Sequence, residues 1–196
     1  MERSTAFSET DLILRAQRGE RSAFSELVCL HADGVRNVVY RMCGDAQLAE
    51  DAAQETFIQA WTHLRSYHPG TSLRNWLYRI AVNAATDLLR KEKRILPNAL
   101  EDLQLQDPQL GPEALLFEEE RTALIQKAIL SLPEASRAVL VLREYEEMSY
   151  HEIADALDIP VGTVMSRLNY ARKTLKEKLE GSLFVQVEVE HVDTRE

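Results

Sequence analysis

The sequence predicts an all-α protein made of two small helical domains joined by a flexible acidic linker. Helix-forming residues dominate, only 7 of the 196 residues are glycine, and apolar side chains recur at steps of three and four. No run of alternating β-branched residues is long enough to build a sheet. Near the C-terminus, a proline-containing turn between two amphipathic stretches predicts a helix-turn-helix in the second domain.

The N-terminal domain, residues 1–94, is predicted to contain four helices. Ser8 and Ser72 are N-cap residues, and Gly19 and Gly44 interrupt the apolar period. The predicted bounds that follow are 8–19, 21–43, 46–66 and 72–94.

The third helix of this domain combines a buried apolar stripe with an acidic outer face. Asp51, Gln54 and Glu55 point outward beside Phe57. A solvated helix would mix lysine or arginine into such a face and would not expose an aromatic ring beside carboxylates. The face is interpreted as a docking surface for a basic partner, with Phe57 as its apolar anchor. Periodicity alone also allows Phe57 to be a core residue.

The fourth helix carries aromatic, amide and cationic side chains on one face, next to a loop that contains Tyr67. Trp76 belongs to the predicted buried face. The residues predicted to point outward are Arg74, Asn75, Tyr78, Arg79, Asn83, Asp87, Arg90 and Lys91. Rings stack on unpaired bases while amides bind base edges, at about 1–3 kcal/mol per stacked base. This chemistry suits single-stranded nucleic acid, and the alternative is an ordinary solvated cationic helix.

The acidity of the chain is concentrated in the connecting segment and the tail. The net charge is −9, yet residues 95–120 hold seven acidic and no basic side chains, so residues 1–94 and 121–181 are nearly neutral. Three prolines within residues 95–112 predict the linker. Local basic faces can still meet DNA, but the isolated chain is expected to bind it weakly, because phosphate neutralisation supplies most non-specific affinity.

The C-terminal domain, residues 113–181, contains the predicted helix-turn-helix. Ser149 and Glu152 form a capping box, and Pro160 separates that helix from a second one that begins near Val161. The outward residues of the second helix are Thr163, Ser166, Arg167, Tyr170, Arg172 and Lys173. In a helix-turn-helix such residues enter the DNA major groove. The alternative is an amphipathic helical hairpin with a solvated polar face.

Several function classes find no support in the sequence. It contains no nucleotide-binding loop, metal-ligand cluster or catalytic triad, so no enzyme activity and no cofactor are expected. Cys29 and Cys43 are predicted to be buried thiols in a reducing compartment. Neither a signal peptide nor a membrane-spanning segment is found, and a cytoplasmic protein is expected. The acidic tail, residues 182–196, is predicted to be disordered or to form a short strand on a partner.

The order of these motifs resembles the bacterial extracytoplasmic-function (ECF) sigma factors of RNA polymerase. The matching stretches are DAAQETFIQAW (51–61), SLRNWLYRIAVNAATDLLRK (72–91) and SLPEASRAVLVLREYEEMSYHEIADALDIPVGTVMSRLNYARKTL (131–175). The resemblance implies that residues 1–94 form sigma region 2, which docks on polymerase and holds the −10 promoter element as a single strand. It implies that residues 113–181 form sigma region 4, which recognises the −35 element as a duplex.

The resemblance also assigns roles to residues. Those matching the surface that docks on the polymerase β′ clamp helices are Asp51, Gln54, Glu55 and Phe57. Those matching the pocket for a flipped −10 base, or lying near that strand, are Tyr67, Trp76, Tyr78, Arg79, Asn83 and Arg90. Those on the −35 recognition helix are Thr163, Ser166, Arg167, Tyr170, Arg172 and Lys173. The implied partners are core polymerase, through its β′ clamp helices and β flap, promoter DNA and an anti-sigma factor, without membrane insertion.

The sequence departs from the family pattern on the recognition helix. Met165 and the pair Asn169-Tyr170 stand where relatives commonly have basic residues, which weakens the expected phosphate contacts. A second hypothesis is a free-standing helix-turn-helix regulator that binds a duplex operator as a dimer. That hypothesis leaves the acidic surface at 51–57 unexplained.

Overall fold

A computed structural model of the protein describes residues 8–68, 72–95 and 114–192, with side chains described for 8–68, 72–94 and 121–180. These residues form α-helices and one short 3₁₀ helix, Leu64–Ser66, and contain no strand. The helices are α1 (Glu9–Gln17), α2 (Arg21–Cys43), α3 (Ala46–His63), α4 (Leu73–Ile95), α5 (Ala114–Leu130), α6 (Glu134–Glu144), α7 (Tyr150–Leu157) and α8 (Val161–Val192). The predicted all-α class is confirmed.

The helix boundaries of the N-terminal domain follow the predicted capping residues. Ser8 Oγ accepts a hydrogen bond from the Asp11 backbone N–H at 3.2 Å. Asp45 accepts one from the Leu48 N–H at 2.8 Å at the start of α3. Gly44 ends α2 with φ 74°, a left-handed conformation that glycine adopts without a Cβ clash. The four predicted helices are therefore present, with small shifts at their ends.

The helix-turn-helix is formed by α7 and α8. Both hydrogen bonds of the capping box are made: Ser149 N donates to Glu152 at 2.8 Å, and Glu152 N donates to Ser149 Oγ at 3.2 Å. Asp158 ends α7 with φ 54°. The predicted apolar stripes are buried, including Ile153 and, on α8, Leu168. The start and end of α7 therefore lie where the capping box and the proline-containing turn of the sequence predict them.

The prediction for the C-terminal tail was wrong for part of its length. The backbone of α8 continues as helix to Val192, whereas residues 182–196 were expected to be disordered or a strand. Extending an existing helix adds one hydrogen bond for each residue fixed, so a glycine such as Gly181 and several valines do not stop it. Of the predicted linker, only Ile95 is described, as the last residue of α4, and residues 96–112 lie outside the described ranges.

The two cysteines occupy different environments. Cys43 is buried, and burial raises the pKa of its thiol to about 12. Cys29 is exposed, so the prediction that both thiols are buried was wrong. Cys29 follows the buried Leu27 by two residues, and residues two apart point to different sides of a helix.

The two domains pack against each other, which the sequence did not predict. The C-terminal end of α2 contacts α5 and α6, and the buried Arg137 of α6 connects them. Its guanidinium donates to the carbonyl oxygens of Met42, Leu130 and Leu132, the last at 3.0 Å. Beside it, Arg41 lies over the Tyr145 ring, 4.4 Å from the ring centroid. Separately, α4 contacts α7 of the helix-turn-helix.

Candidate nucleic-acid and polymerase interfaces

The docking face, which we define as Asp51, Gln54 and Glu55, lies on the exposed side of α3 as predicted. Residues 46–62 contain no basic side chain, so this side of the helix is uniformly acidic or neutral. Thr56 is fully buried behind it and donates its hydroxyl to the Ala52 carbonyl at 2.6 Å. The docking face is therefore an acidic surface on a helix that is firmly packed from behind.

Phe57 does not stand out from the docking face. It is half-buried and lines a small apolar cavity with core residues that include Phe24 and Trp76. It shares its side of α3 with Ala53 and Ala60, at steps of four and three, and both are buried. Phe57 therefore packs partly against the core, which is closer to the core alternative than to a fully exposed anchor, and its role in docking stays a prediction.

The exposed apolar residue of this surface is instead Ile58, with 61% of its area accessible. The sequence analysis missed it. Ile58 lies four residues after Gln54 and three after Glu55, a spacing that places it beside both on the helix surface. The same helical-wheel argument that selected the acidic residues could therefore have found it.

The single-strand face, which we define as Tyr67, Tyr78, Arg79 and Asn83, is largely covered. Tyr67 is 6% exposed and Tyr78 only 3% exposed, although both were expected to present their rings to solvent. Tyr67 packs on Trp76, with the ring centroids 5.2 Å apart, and burial raises its pKa. The exposed members are Arg79 and Asn83.

Tyr78 is covered by the C-terminal domain. Its hydroxyl donates to the carboxylate of Glu146, and that carboxylate also accepts a hydrogen bond from Asn37 Nδ2 at 2.8 Å. Burial, and then the bond to Glu146, raise the pKa of Tyr78 above its ordinary value. A Cβ atom at Gly34 would overlap the Tyr78 hydroxyl, so this position of the ring requires glycine there. The sequence placed Tyr78 outward because α4 alone leaves it exposed.

Further carboxylates of the C-terminal domain lie along α4. Asn75, 5% exposed and also predicted outward, places Nδ2 3.4 Å from Glu152 Oε1. Arg79 Nη2 is 3.6 Å from Asp158 Oδ2. The remaining pairs join Glu134 to Lys93, at 2.7 Å, and to Arg90, at 3.9 Å. Four acidic residues thus lie against the helix face that was predicted to hold a nucleic-acid strand.

The predicted recognition helix, α8, presents an accessible surface. The exposed members of the predicted set are Ser166, Tyr170, Arg172 and Lys173. Thr163 and Arg167 are half-buried. Arg172 donates to Glu144 Oε1 from Nη2 at 2.6 Å and from Nε at 3.1 Å. Met165 and Asn169, the departures from the family pattern on this helix, are also exposed, as is Gly162.

Comparisons with known proteins identify the class to which this arrangement belongs. The family model for sigma-70 region 2 matches residues 27–95, and the model for sigma-70 region 4 matches residues 122–175. The ECF RNA polymerase sigma factor SigW of Bacillus subtilis is 34% identical over 176 residues, which cover 85% of this chain and 94% of SigW. The sigma-E factor of Escherichia coli K12 is 34% identical over 186 residues, which cover 90% of this chain and 97% of its own.

Solved structures agree with this assignment. CnrH in complex with the cytosolic domain of CnrY superposes with a TM-score of 0.67 at 27% identity, covering 89% of this chain and 99% of that one. RpoE of Bartonella quintana, in complex with the anti-sigma factor NepR, gives 0.64 at 25% identity, covering 80% and 96%. The chain belongs to the ECF sigma factors of RNA polymerase.

The chain therefore directs RNA polymerase to specific promoters. The alternative of a free-standing regulator is not favoured by the comparisons. In the ranges that the structure describes, no helix combines the length and apolar character needed to cross a membrane. Nor do the described side chains bring together three His, Cys, Asp or Glu residues that could hold a metal ion.

Proposed function

We propose that the work of promoter recognition is divided among three surfaces of this chain. The docking face of α3 binds the β′ clamp helices of core polymerase, and the C-terminal domain lies against the β flap. The single-strand face of α4 holds the −10 element, and α8 enters the major groove of the −35 element. The observation that carries this proposal is the docking face, because an acidic helix surface with one exposed apolar residue suits a basic protein partner.

The polymerase must separate the two domains before the single-strand face can act. Tyr78 and Asn75 are buried against the C-terminal domain, so a base cannot reach them in the arrangement described. Docking of both domains at a fixed distance would remove this cover and make the second DNA contact effectively intramolecular. Capture of flipped bases by Tyr67, Tyr78 and Asn83 would then favour the melted promoter. Trp76, Arg79 and Arg90 support that strand.

The solved relatives suggest how such a chain is held inactive. CnrH and the Bartonella RpoE were each solved with an inhibitor or partner protein, CnrY and the anti-sigma factor NepR. We propose that an anti-sigma protein likewise binds this chain, and that the chain acts in the cytoplasm, where promoter DNA and polymerase are found. It acts as a specificity subunit without enzyme activity of its own.

Co-purification with core polymerase tests the docking face. Glu55→Lys places a cation in the middle of this face and should abolish co-purification, while the circular dichroism spectrum stays unchanged. Glu26→Lys makes the same charge change at an exposed position on α2 and is the matched control. Normal recovery of Glu55→Lys with polymerase would reject this face as the binding surface.

The role of the single-strand face is tested with Asn83→Ala, because Asn83 is exposed and can be changed without breaking the domain contact. This variant should retain polymerase binding but form fewer open complexes, measured as permanganate reactivity of melted thymines. Unchanged reactivity would contradict the role of Asn83. Footprinting without polymerase completes the test, since protection by the chain alone at nanomolar concentration would support the regulator hypothesis instead.

A further inference from the structure

The beginning of α8 presents an uncharged surface where a DNA-recognition helix usually presents cations. The exposed residues of its first three turns are Gly162, Met165, Ser166, Asn169 and Tyr170. Between Val161 and Ala171 the only cation is Arg167, and it is half-buried. Base contacts made by this surface must therefore come mainly from amide, hydroxyl and apolar groups.

Two of these residues are large and apolar. Met165 exposes 47% of its area and Tyr170 exposes 51%, and they are among the few large hydrophobic residues exposed in the described ranges. Met165 lies four residues before Asn169, so their side chains are neighbours on the helix surface. Ser166 lies beside Tyr170 in the same way. The four side chains therefore form one continuous patch.

The cations that follow along α8 each have a carboxylate partner within the chain, which competes with DNA phosphates for them. Arg172 is bound to Glu144 at 2.6 Å. Lys173 Nζ lies 3.9 Å from Glu177, and Lys176 Nζ lies 3.7 Å from Glu180. Phosphate contacts supply affinity without sequence information, and they are weakened here. A larger share of the recognition must come from base edges.

We infer that Met165, Asn169 and Tyr170 give this chain a preference for A·T pairs in the upstream duplex. This inference rests on the proposed function, in which α8 enters the major groove. The Asn169 amide matches the N6 donor and N7 acceptor of adenine, which it can bind with two hydrogen bonds. Met165 and the edge of the Tyr170 ring contact the methyl groups of thymine, the one apolar feature of the major-groove surface. Guanine is recognised best by an exposed arginine or lysine, which this patch lacks.

Selection from a promoter library tests the inference. The full chain and core polymerase are given promoters with a randomised upstream element, and the transcribed sequences are determined. The wild-type chain should enrich A·T pairs at two or three adjacent positions. Asn169→Ala should lose the adenine preference at one of them, by about five- to tenfold, and leave the others. Met165→Ala should lose the thymine preference at a neighbouring position.

Modified bases test the same contacts atom by atom. Replacing thymine by uracil at the Met165-dependent position removes only the methyl group. It should lower transcription by the wild-type chain about fourfold, as expected for one buried methyl, and should not lower it further in Met165→Ala. Replacing adenine by 7-deazaadenine removes the N7 acceptor. This should lower transcription by the wild-type chain and should not lower it further in Asn169→Ala. Leu30→Ala, an exposed hydrophobic residue on α2, is the control variant.

The outcomes separate this inference from the proposed function. Enrichment of G·C pairs at the positions that depend on α8, or uracil and 7-deazaadenine promoters transcribed as well as unmodified ones, would overturn the inference while leaving −35 recognition intact. Transcription that does not depend on the upstream sequence at all would overturn both, because α8 would then have no role in recognition.

Discussion

The two surfaces that we propose bind DNA differ in accessibility, as two tyrosines show. Tyr78 on the single-strand face is 3% exposed and bound to a carboxylate of the other domain, whereas Tyr170 on α8 is 51% exposed. The duplex, which we propose that α8 recognises, is present before transcription begins. The single strand exists only after the promoter melts. In the proposed sequence of events, the surface needed later is therefore the one that the C-terminal domain covers in the structure.

The part of the C-terminal domain that covers the single-strand face, which we call the cover, is chemically suited to that face. The amides, tyrosine hydroxyl and cations along α4 would meet base edges and phosphates in an open complex. In the described arrangement they meet the side chains of Glu134, Glu146, Glu152 and Asp158. Carboxylate oxygens accept the same hydrogen bonds as phosphate oxygens do.

The largest effect is expected for Arg137→Ala, which removes the anchor of the cover. Burial lowers the pKa of Arg137, and its guanidinium satisfies three backbone carbonyls that lie at helix ends. Leaving these carbonyls unpaired should lower the free energy of unfolding by about 2–4 kcal/mol in urea denaturation. Arg143→Ala, which frees a single carbonyl, should cost less. Equal losses in the two variants would show that Arg137 has no special role in joining the domains.

Arg167→Ala should affect only the function of α8, the more accessible of the two surfaces. If Arg167 contacts a base, transcription from promoters with the correct upstream element should fall by an amount equivalent to about 1–3 kcal/mol. Run-off transcription measures this loss, and promoters with scrambled upstream elements provide the control. A loss of the same size on the scrambled promoters would contradict a base contact.

Glu146→Gln should uncover the single-strand face without changing the shape of the side chain. The bonds from Tyr78 and Asn37 to a charged acceptor become bonds to a neutral one. Binding of a fluorescent −10 single-stranded oligonucleotide should therefore tighten by about tenfold, the range expected for a charged hydrogen bond. Binding of a −35 duplex should stay unchanged. Glu144→Gln, whose partner Arg172 lies on α8, should not tighten oligonucleotide binding, and a similar gain in both variants would argue against a specific cover.

The smallest effect concerns the capping box of α7, close to both surfaces. Hydrogen bonds from the backbone and then the side chain of Ser149 lower the pKa of Glu152 below its ordinary value. A carboxylate with a lowered pKa stabilises the fold above its ordinary pKa, and this contribution is lost as the pH falls through the lowered value. Glu152→Gln, which removes the charge and keeps the shape of the side chain, should cost about 1 kcal/mol near pH 7 and less near pH 3. Thermal unfolding at the two pH values measures this, and a cost that rises toward pH 3 would contradict it.

Much of the fold, and part of the site, could be predicted from the sequence. The acidic docking face and most of the predicted outward residues of α8 were found because a helix has a known period, and only the neighbouring core had to be inferred. Cys29 was misplaced, and Phe57 could not be assigned, because periodicity fixes the direction of a side chain only to within a fraction of a turn. Tyr78 and Asn75 were misplaced for another reason, since they contact groups far away in the sequence, Gly34 and Glu146 for Tyr78 and Glu152 for Asn75.

Features that depend only on residues within one or two helical turns follow from the sequence alone. The cap at Ser8, the capping box at Ser149 and Glu152, and the end of α2 at Gly44 are such features, because their hydrogen bonds are local in the chain. Which of the two proposed DNA-binding surfaces is accessible depends instead on contacts between distant parts of the chain. That depends on Tyr78 meeting Glu146, 68 residues away in sequence, and on the space that Gly34 leaves for the ring. No local pattern records such a contact, because its energy comes from groups that only the folded chain brings together.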